Sequence, residues 1–208
     1  MKHRSIWILL CCTSILTGCA IGNTYNYQKA DIELPVAGEG KMGLAVQDRR
    51  PYVLNGDKKS NFVGLQRGGF GNPFDVTTAS GQPLAEVLYD IIAAELTENG
   101  FEVTELHLTS SAGQYVADAI AGSGARRSVV LTVGEWKTDA YMNFGLTYDL
   151  GMQIFDESGK ILAEKKSSGH DDLGGAGLES RNSDVAIQSF ESKVGKLFNS
   201  PEIKSVLE

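Results

Sequence analysis

The chain has 208 residues, of which 42% are hydrophobic and 22% are charged, and its formal net charge is −7 at pH 7. This length suits one domain of ordinary size, which can bury a substantial hydrophobic core. The acidic balance argues against a nucleic-acid-binding protein and against a protein that binds anionic lipid through a broad basic surface.

The first nineteen residues have the layout of a secretory signal peptide. Lys2, His3 and Arg4 form a basic start, an apolar run follows over residues 6–16, and small residues precede Cys19. A basic start, a short apolar stretch and a small-residue cleavage site are typical of secreted proteins. The run is shorter than the roughly 20 apolar residues that span a bilayer, which disfavours a single helical anchor. An ordinary secretory signal is the other alternative.

The end of this segment carries a more specific pattern, Leu16-Thr17-Gly18-Cys19. It resembles the lipobox of bacterial lipoproteins. The resemblance implies that residues 1–18 are removed, that Cys19 is acylated with fatty acids such as palmitate, and that it becomes the first residue of the mature protein. Because one acyl chain binds a membrane only reversibly, the several chains of this family provide a stable anchor. Sorting in the family depends on the next residue, and Ala20 implies the outer membrane, facing the periplasm.

The segment after the lipobox is predicted to be a tether. Residues 19–40 contain Asn, Thr, Pro and Gly with few apolar residues, so we predict a lipidated Cys19 followed by a flexible linker. Residues 41–208 are predicted to form a single periplasmic α+β domain. Cys11 and Cys12 would leave with the signal peptide, so the domain would have neither a disulfide nor a free thiol.

The first half of the domain is predicted from one strand, a long connection and one strong helix. Met42–Val46 reads as a strand, and residues 48–80 as a long segment that is unusual unless functional or partly structured, with an additional short strand at Phe62–Leu65. Apolar residues at helical spacing from Leu84 to Leu96 predict an amphipathic helix that Gly100 ends. Residues 101–106 alternate like a strand.

The second half is predicted to be a strand meander between helices. A weaker helix is expected over 114–121, and strands over 128–138, 144–154 and 160–168. The strand at 144–154 alternates most clearly, with every second residue apolar. Residues 169–181 are Gly-rich and predicted to be a loop. A second amphipathic helix follows around 187–198, and Ser200-Pro201-Glu202 predicts the start of a short terminal helix.

This order of elements predicts an α+β fold. Two long one-sided helices and a sheet with one apolar face favour a two-layer sandwich. We expect a mixed, mostly antiparallel sheet with the two main helices packed on one face.

The chain also resembles a named family. The helix-to-strand unit LAEVLYDIIAAELTENGFEV, the strands VVLTVGEWKTDA and LTYDLGMQIFDESGKILAEKK, and the closing FNSPEIKSVLE are similar to the YajG-type lipoproteins of Gram-negative bacteria. More distantly, the layout is similar to the auxiliary lipoproteins of envelope ABC transporters for lipids. The first resemblance implies an envelope lipoprotein of largely unknown role with no assigned reaction. The segment 48–80 has no counterpart in this pattern.

Motifs of enzymes and cofactor sites are weak in this sequence. Residues 38–43 match G-x-G-x-x-G, but they follow the predicted tether and lead into a strand, whereas a dinucleotide site needs the glycines between a strand and a helix. His170-Asp171-Asp172 is the one cluster with metal or acid–base potential, and a solvated loop is the favoured interpretation. We therefore expect no enzymatic activity, no cofactor and no metal.

Two groups of residues are candidates for binding a partner. Trp136, Tyr141, Met142 and Phe144 surround the turn between two strands, where aromatic residues and Met favour interfaces, although alternating positions more often indicate core. Arg49 and Arg50, together with Arg67, Phe62, Phe70 and Phe74, would let segment 48–80 bind an anionic group or an envelope partner; a solvated loop is the favoured alternative.

Three functions follow from these patterns. The first is a non-enzymatic outer-membrane lipoprotein that binds another envelope protein. The second is an accessory lipoprotein of an envelope lipid or ABC transport system, which predicts a continuous apolar groove between helices and sheet and a bound lipid. The third is a periplasmic hydrolase, which predicts a pocket at His170 or at a carboxylate pair. The order given is the order in which the sequence favours them.

Overall fold

The computed structural model of the protein describes residues 23–108 and 113–207. The predicted signal peptide and Cys19 lie outside the described residues. Within them, the strands are Thr24–Tyr25 (β1), Gly40–Asp48 (β2), Phe62–Arg67 (β3), Pro73–Thr78 (β4), Phe101–Glu105 (β5), Arg127–Ala140 (β6), Asn143–Asp156 (β7) and Ile161–Gly175 (β8). The helices are Pro51–Leu54 (α1), Leu84–Glu98 (α2), Gly113–Ser123 (α3), Glu179–Phe198 (α4) and Pro201–Leu207 (α5), with a 3₁₀ turn at Tyr27–Lys29.

Strand β6 organises the sheet. On one side it pairs in parallel with β2 along its first half and with β3 near its end. On the other side β7 runs antiparallel along its whole length, and β8 pairs antiparallel with β7. Strand β5 lies beyond β2, and β4 and then β1 lie beyond β3. The two longest pairings are therefore antiparallel within a mixed sheet, and the predicted α+β sandwich is confirmed.

The main core lies between one face of this sheet and helices α2, α4 and α5. Every second residue of β7, from Phe144 to Ile154, points into it, as the alternation predicted. Helix α2 contributes the apolar stripe that includes Leu88 and Ile92, and α4 contributes Phe190 and its neighbours. Because these side chains are removed from water, the apolar stripe of each helix fixes the face that it turns to the sheet.

Helix α3 covers part of the other face. Its buried residues Val116 and Ile120 pack with Ala45, Val130 and Phe155 in a second, smaller cluster. Val130 and Phe155 belong to β6 and β7, and they point away from the main core because successive side chains alternate across a strand. The rest of this outer face, along β6, β7 and β8, is polar, with exposed and half-buried residues.

The predicted flexible tether is wrong for residues 24–36. Strand β1 pairs with β4, and five apolar residues of this segment are buried in the main core: Tyr25, Tyr27, Ile32, Leu34 and Val36. Among these, the ring of Tyr27 meets Trp136 and Phe190 edge to face. The folded domain therefore includes residues 24–36, which the sequence had assigned to the tether. The apolar residues are separated by polar ones, so the segment lacks the pattern of a helix or a long strand, yet it covers an open edge of the core.

Two segments contain more regular structure than the sequence predicted. Segment 48–80 contains α1 and the antiparallel pair β3–β4, of which only the strand at Phe62–Leu65 was expected. The Gly-rich stretch after residue 168 continues β8 as far as Gly175, because β7 is 14 residues long and offers a partner throughout. Every helix in the described part of the chain is too short or too polar to cross a membrane.

Candidate functional site

Three of the five residues predicted to bind a partner are buried. Trp136 and Phe144 are each 1% exposed, and both point into the main core from β6 and β7. The indole N–H of Trp136 donates a hydrogen bond of 2.9 Å to the hydroxyl of Tyr27. Alternating positions along a strand more often indicate core, and both residues lie at such positions. The prediction that Trp136 and Phe144 bind a partner at the surface is therefore wrong.

Arg50 is also buried, at 0% exposure, and it holds the segment after β2 together. Its Nε and Nη2 donate to the two carboxylate oxygens of Asp48 at 2.8 and 2.6 Å. The same guanidinium donates to the backbone carbonyls of Ser60, at 2.9 Å, and Phe62. Burial by itself lowers the pKa of Arg50, but the hydrogen bonds and charge of Asp48 hold this pKa above its usual value. The predicted contact of Arg50 with an anionic partner is therefore wrong, whereas Arg49 remains half-buried at the surface.

The cluster at His170 is divided by the strand that contains it. His170 lies on the outer face, where its Nδ1 is 3.0 Å from the hydroxyl of Thr147. Asp171 points to the other face and forms an ion pair of 2.6 Å with Lys193. Asp172 accepts a hydrogen bond of 2.9 Å from the backbone N–H of Gly174. Strand alternation puts Asp171 on the opposite face from His170 and Asp172, so the three do not converge on one ligand, and the described residues contain no group of three His, Cys, Asp or Glu placed to hold a metal.

Exposed large apolar side chains gather at one end of the sheet. Three connections meet there: the β3–β4 turn, the β6–β7 turn and the segment between β8 and α4. We name the exposed residues on them the apolar tip, which consists of Phe70, Phe74, Tyr141, Met142 and Leu178. Phe70 is 99% exposed, Leu178 is 82% exposed and Met142 is 79% exposed. Several exposed apolar side chains at one end of a fold are typical of contacts with proteins or membranes.

Backbone pairing brings these connections together. Gln66 of β3 pairs with Ala140 at the end of β6, which places the β3–β4 turn beside the two-residue turn of Tyr141 and Met142. The backbone carbonyl of Met142 accepts a hydrogen bond of 3.1 Å from the N–H of Ala176, just after β8. The sequence identified Tyr141, Met142, Phe70 and Phe74 as interaction candidates; Leu178 was missed because it stands alone in a Gly-rich stretch.

The charged side chains next to the apolar tip form hydrogen bonds within the protein. Arg67 and Asp139 form a two-pronged ion pair, with distances of 2.8 and 2.6 Å. Arg181 donates a hydrogen bond of 2.8 Å to the backbone carbonyl of Gly175. The apolar tip therefore consists of apolar side chains, and the charged groups beside it form their hydrogen bonds within the protein.

The first described residue lies beside the strands that lead to the tip. The side-chain amide of Asn23 donates to Gln66 at 3.4 Å, and the backbone N–H of Thr24 donates to Glu179, in the first turn of α4, at 3.0 Å. Gln66 is the residue that pairs with Ala140 beside the tip. The first described residue is thus adjacent to the elements that carry the apolar tip.

A cleft of about 300 Å³ lies elsewhere, between the residues that precede β2 and the end of α5. Lys41, Arg126 and Arg127 line it and make it basic. Lys41 donates to the carbonyl of Ser123 at the end of α3, and Arg127 donates to the carbonyl of Val206 in the last turn of α5. Cations are favoured at helix carboxyl ends, which accounts for the positions of these two side chains.

No protein-family model and no curated protein sequence matches the chain. Solved structures do match it. Protein XCC0632 from Xanthomonas campestris, of family DUF330, has a TM-score of 0.55 at 11% identity, over 85% of this chain and 93% of that protein. Lipoprotein GNA1162 from Neisseria meningitidis has a TM-score of 0.41 at 13% identity, over 78% of this chain and 100% of that protein.

A third similar structure is LpoB from E. coli, with a TM-score of 0.35 at 11% identity, over 83% of this chain and 81% of that protein. At these identities, structural similarity is evidence of fold only. The chain therefore shares the α+β fold of the Xanthomonas protein, and a protein described as a bacterial lipoprotein is among the structures similar to it.

Proposed function

We propose that this protein is a non-enzymatic, YajG-type lipoprotein, anchored through Cys19 to the outer membrane, that binds another envelope protein on the periplasmic side. The lipobox-like residues 16–19 support the anchor. The observation that carries the function is the position of Asn23, which is only four residues after Cys19 and is hydrogen-bonded into the sheet.

This spacing limits where the partner can be. Four residues of extended chain reach about 14 Å, so a lipidated Cys19 holds the domain directly at the membrane surface. The partner is then a protein in or on the same membrane, and not one that must be reached across the periplasm. Tethering of this kind raises the effective concentration of the domain for such a partner without requiring a large interface.

The transport hypothesis requires a lipid-sized groove between the helices and the sheet. That space contains the buried side chains of the main core, among them Trp136, Phe190 and Leu88, each at most 1% exposed. We therefore favour the binding of a protein partner. Phospholipid that copurifies with a Cys19→Ala chain would reverse this preference.

Fatty-acid labelling tests the anchor. Cells that express the full chain are fed an alkyne-bearing fatty acid, and the protein is isolated through a C-terminal tag. We expect label on the unsubstituted protein, no label on Cys19→Ala, and full label on Cys12→Ala, the matched control in the signal peptide. Label that persists in Cys19→Ala would contradict the proposed anchor.

Capture from membranes tests the binding function. The tagged protein is solubilised in mild detergent after crosslinking in cells, and bound proteins are identified by mass spectrometry. We expect a stoichiometric envelope protein with the anchored chain and a strong reduction with Cys19→Ala, because the partner lies within reach of the membrane surface. Capture of cytoplasmic proteins alone, or equal capture by both chains, would contradict the proposal.

A further inference from the structure

The apolar tip and the entry of the chain lie toward the same end of the molecule, separated by about four residues of β4. Strand β1 runs parallel to β4, with Thr24 beside Thr77. Strand β4 starts at Pro73, beside the tip, and runs away from it. The chain therefore runs along β1 in the direction that leads away from the tip.

The distance to the anchor is short compared with the size of the domain. Cys19 is within about 14 Å of Asn23 along an extended chain. The opposite end of the sheet, where β7 turns into β8, is about 45 Å from the tip, given the 14 residues of β7 and about 3.3 Å per residue. A lipid on Cys19 therefore brings the membrane to the tip and leaves the β7–β8 turn far from it.

The chemistry of the tip suits the boundary between lipid headgroups and acyl chains. Aromatic side chains concentrate at this boundary, and Leu and Met add apolar area without charge. Among the charged groups beside the tip, Arg67 and Asp139 neutralise each other, Asp75 pairs with Lys58, and Glu179 accepts a hydrogen bond from the backbone N–H of Thr24. Phe70 and Met142 project from the apices of two turns, so they can enter the interface without any rearrangement of the sheet.

We propose that the apolar tip inserts into the interface of the membrane that holds the acyl chains of Cys19, as a second point of attachment. This inference rests on the proposed lipidation of Cys19. Two points of attachment fix the orientation of the domain, with the tip at the membrane and the β7–β8 turn directed into the periplasm. The outer face of β6–β8 then remains available to a protein partner.

Quenching by brominated lipid measures this insertion. The full chain is expressed, and the mature lipoprotein is purified from membranes and reconstituted in vesicles of phosphatidylethanolamine and phosphatidylglycerol with brominated acyl chains. Tyr141→Trp is the reporter at the tip. Tyr115→Trp is the matched control, because Tyr115 is also exposed and lies on α3, which packs beside Gly159 in the β7–β8 turn. Trp136 is buried in the core and contributes the same background to both variants.

We expect brominated lipid to reduce the emission of the Tyr141→Trp protein and to leave the Tyr115→Trp protein unchanged. Adding Phe70→Glu and Met142→Glu to the reporter should restore its emission, since both side chains are exposed and their replacement leaves the core intact. The mass of the N-terminal peptide reports lipidation independently in every sample.

The outcomes separate the two proposals. A lipidated protein in which the two reporters respond alike, or in which the glutamates change nothing, overturns tip insertion and leaves the anchor standing. A protein without lipid on Cys19 overturns the proposed function and, with it, the inference. Crosslinking of the tip to an envelope protein in place of lipid quenching would show that the tip binds protein, and would also overturn it.

Discussion

Two arginine–aspartate pairs in this protein have the same geometry and different burial. Replacing the arginine of each pair should therefore lower the free energy of unfolding by different amounts. In Arg50–Asp48 and Arg67–Asp139, the Nε–Oδ1 distance is 2.8 Å and the Nη2–Oδ2 distance is 2.6 Å. The side chain of Arg50 is 0% exposed and that of Arg67 is 35% exposed. The perturbation is replacement of each arginine by alanine.

The difference in burial sets the magnitude. Arg50→Ala leaves the carboxylate of Asp48 and the carbonyls of Ser60 and Phe62 without their donor in a region that water reaches poorly. Removing one partner of a buried ion pair costs about 3–5 kcal/mol in the free energy of unfolding. Arg67→Ala removes an equivalent pair that water and salt already screen, so its loss of stability should be clearly smaller.

Urea unfolding of the Cys19→Ala chain, produced without its signal peptide, measures both losses. Arg50→Ala should lower the unfolding midpoint far more than Arg67→Ala, with the slope m unchanged. Arg50→Lys should recover only part of the loss, since one ammonium cannot replace a two-pronged guanidinium. Equal losses for the two alanine variants, or an Arg50→Ala protein of unchanged stability, would refute the argument from burial.

Three further predictions use the same unfolding measurement. Gly64→Ala should destabilise the β3–β6 pairing by at least about 1–3 kcal/mol, because an added Cβ would lie 1.9 Å from the hydroxyl oxygen of Thr138; an unchanged midpoint would contradict the close approach. Tyr27→Phe should cost about 1–3 kcal/mol by leaving the N–H of Trp136 unpaired, whereas Tyr25→Phe should cost less, since the hydroxyl of Tyr25 has no hydrogen-bond partner in the described structure. Burial raises the pKa of Tyr25 to about 12. The contribution of Tyr25 to the free energy of unfolding is therefore constant below pH 10 and falls by up to about 3 kcal/mol as the pH rises from 10 through 12. Tyr25→Phe should make this decline less steep.

Local sequence patterns were sufficient to predict the core face of an element where one face is buried and the other is not. In β7, the apolar residues from Phe144 to Ile154 alternate with polar or small ones, and this pattern correctly indicated the core face. Helix α2 has an apolar stripe that likewise indicated the face turned to the sheet. In such elements, the period of the sequence and the geometry of the backbone carry the same information.

The full length of strand β8 could not be predicted in this way. It is the outermost strand beside β7, and its residues are exposed or half-buried on both faces, so its sequence has no apolar period to detect. Charged side chains such as Lys166 and Asp172 are common on edge strands, because they discourage pairing with other chains. The register of β8 comes from β7, to which it is hydrogen-bonded almost throughout, and that information lies outside its own residues.

The candidate site was predictable only in part for a related reason. Tyr141 and Trp136 are both aromatic and five residues apart, but one is in a turn and the other is on the core face of β6. Residue type favours an interface for both, and only the position relative to the end of the strand separates them. Arg50 was misassigned because its partners Ser60 and Phe62 belong to a segment whose strand and helix were largely unrecognised.

The burial of residues 24–36 bears directly on the proposed function. A tether from Cys19 to residue 41 would extend about 75 Å, whereas Asn23, which is already bonded into the fold, lies within about 14 Å of Cys19 along an extended chain. The difference depends on buried residues such as Tyr25 and Ile32, which contact elements far along the chain, including α4. Backbone hydrogen bonds to Glu179 and Glu191 of that helix, at 3.0 and 2.9 Å, secure the segment at two points. Under the proposed function this short reach holds the domain at the surface of its own membrane, and the proposed insertion puts the apolar tip at the end that meets this surface.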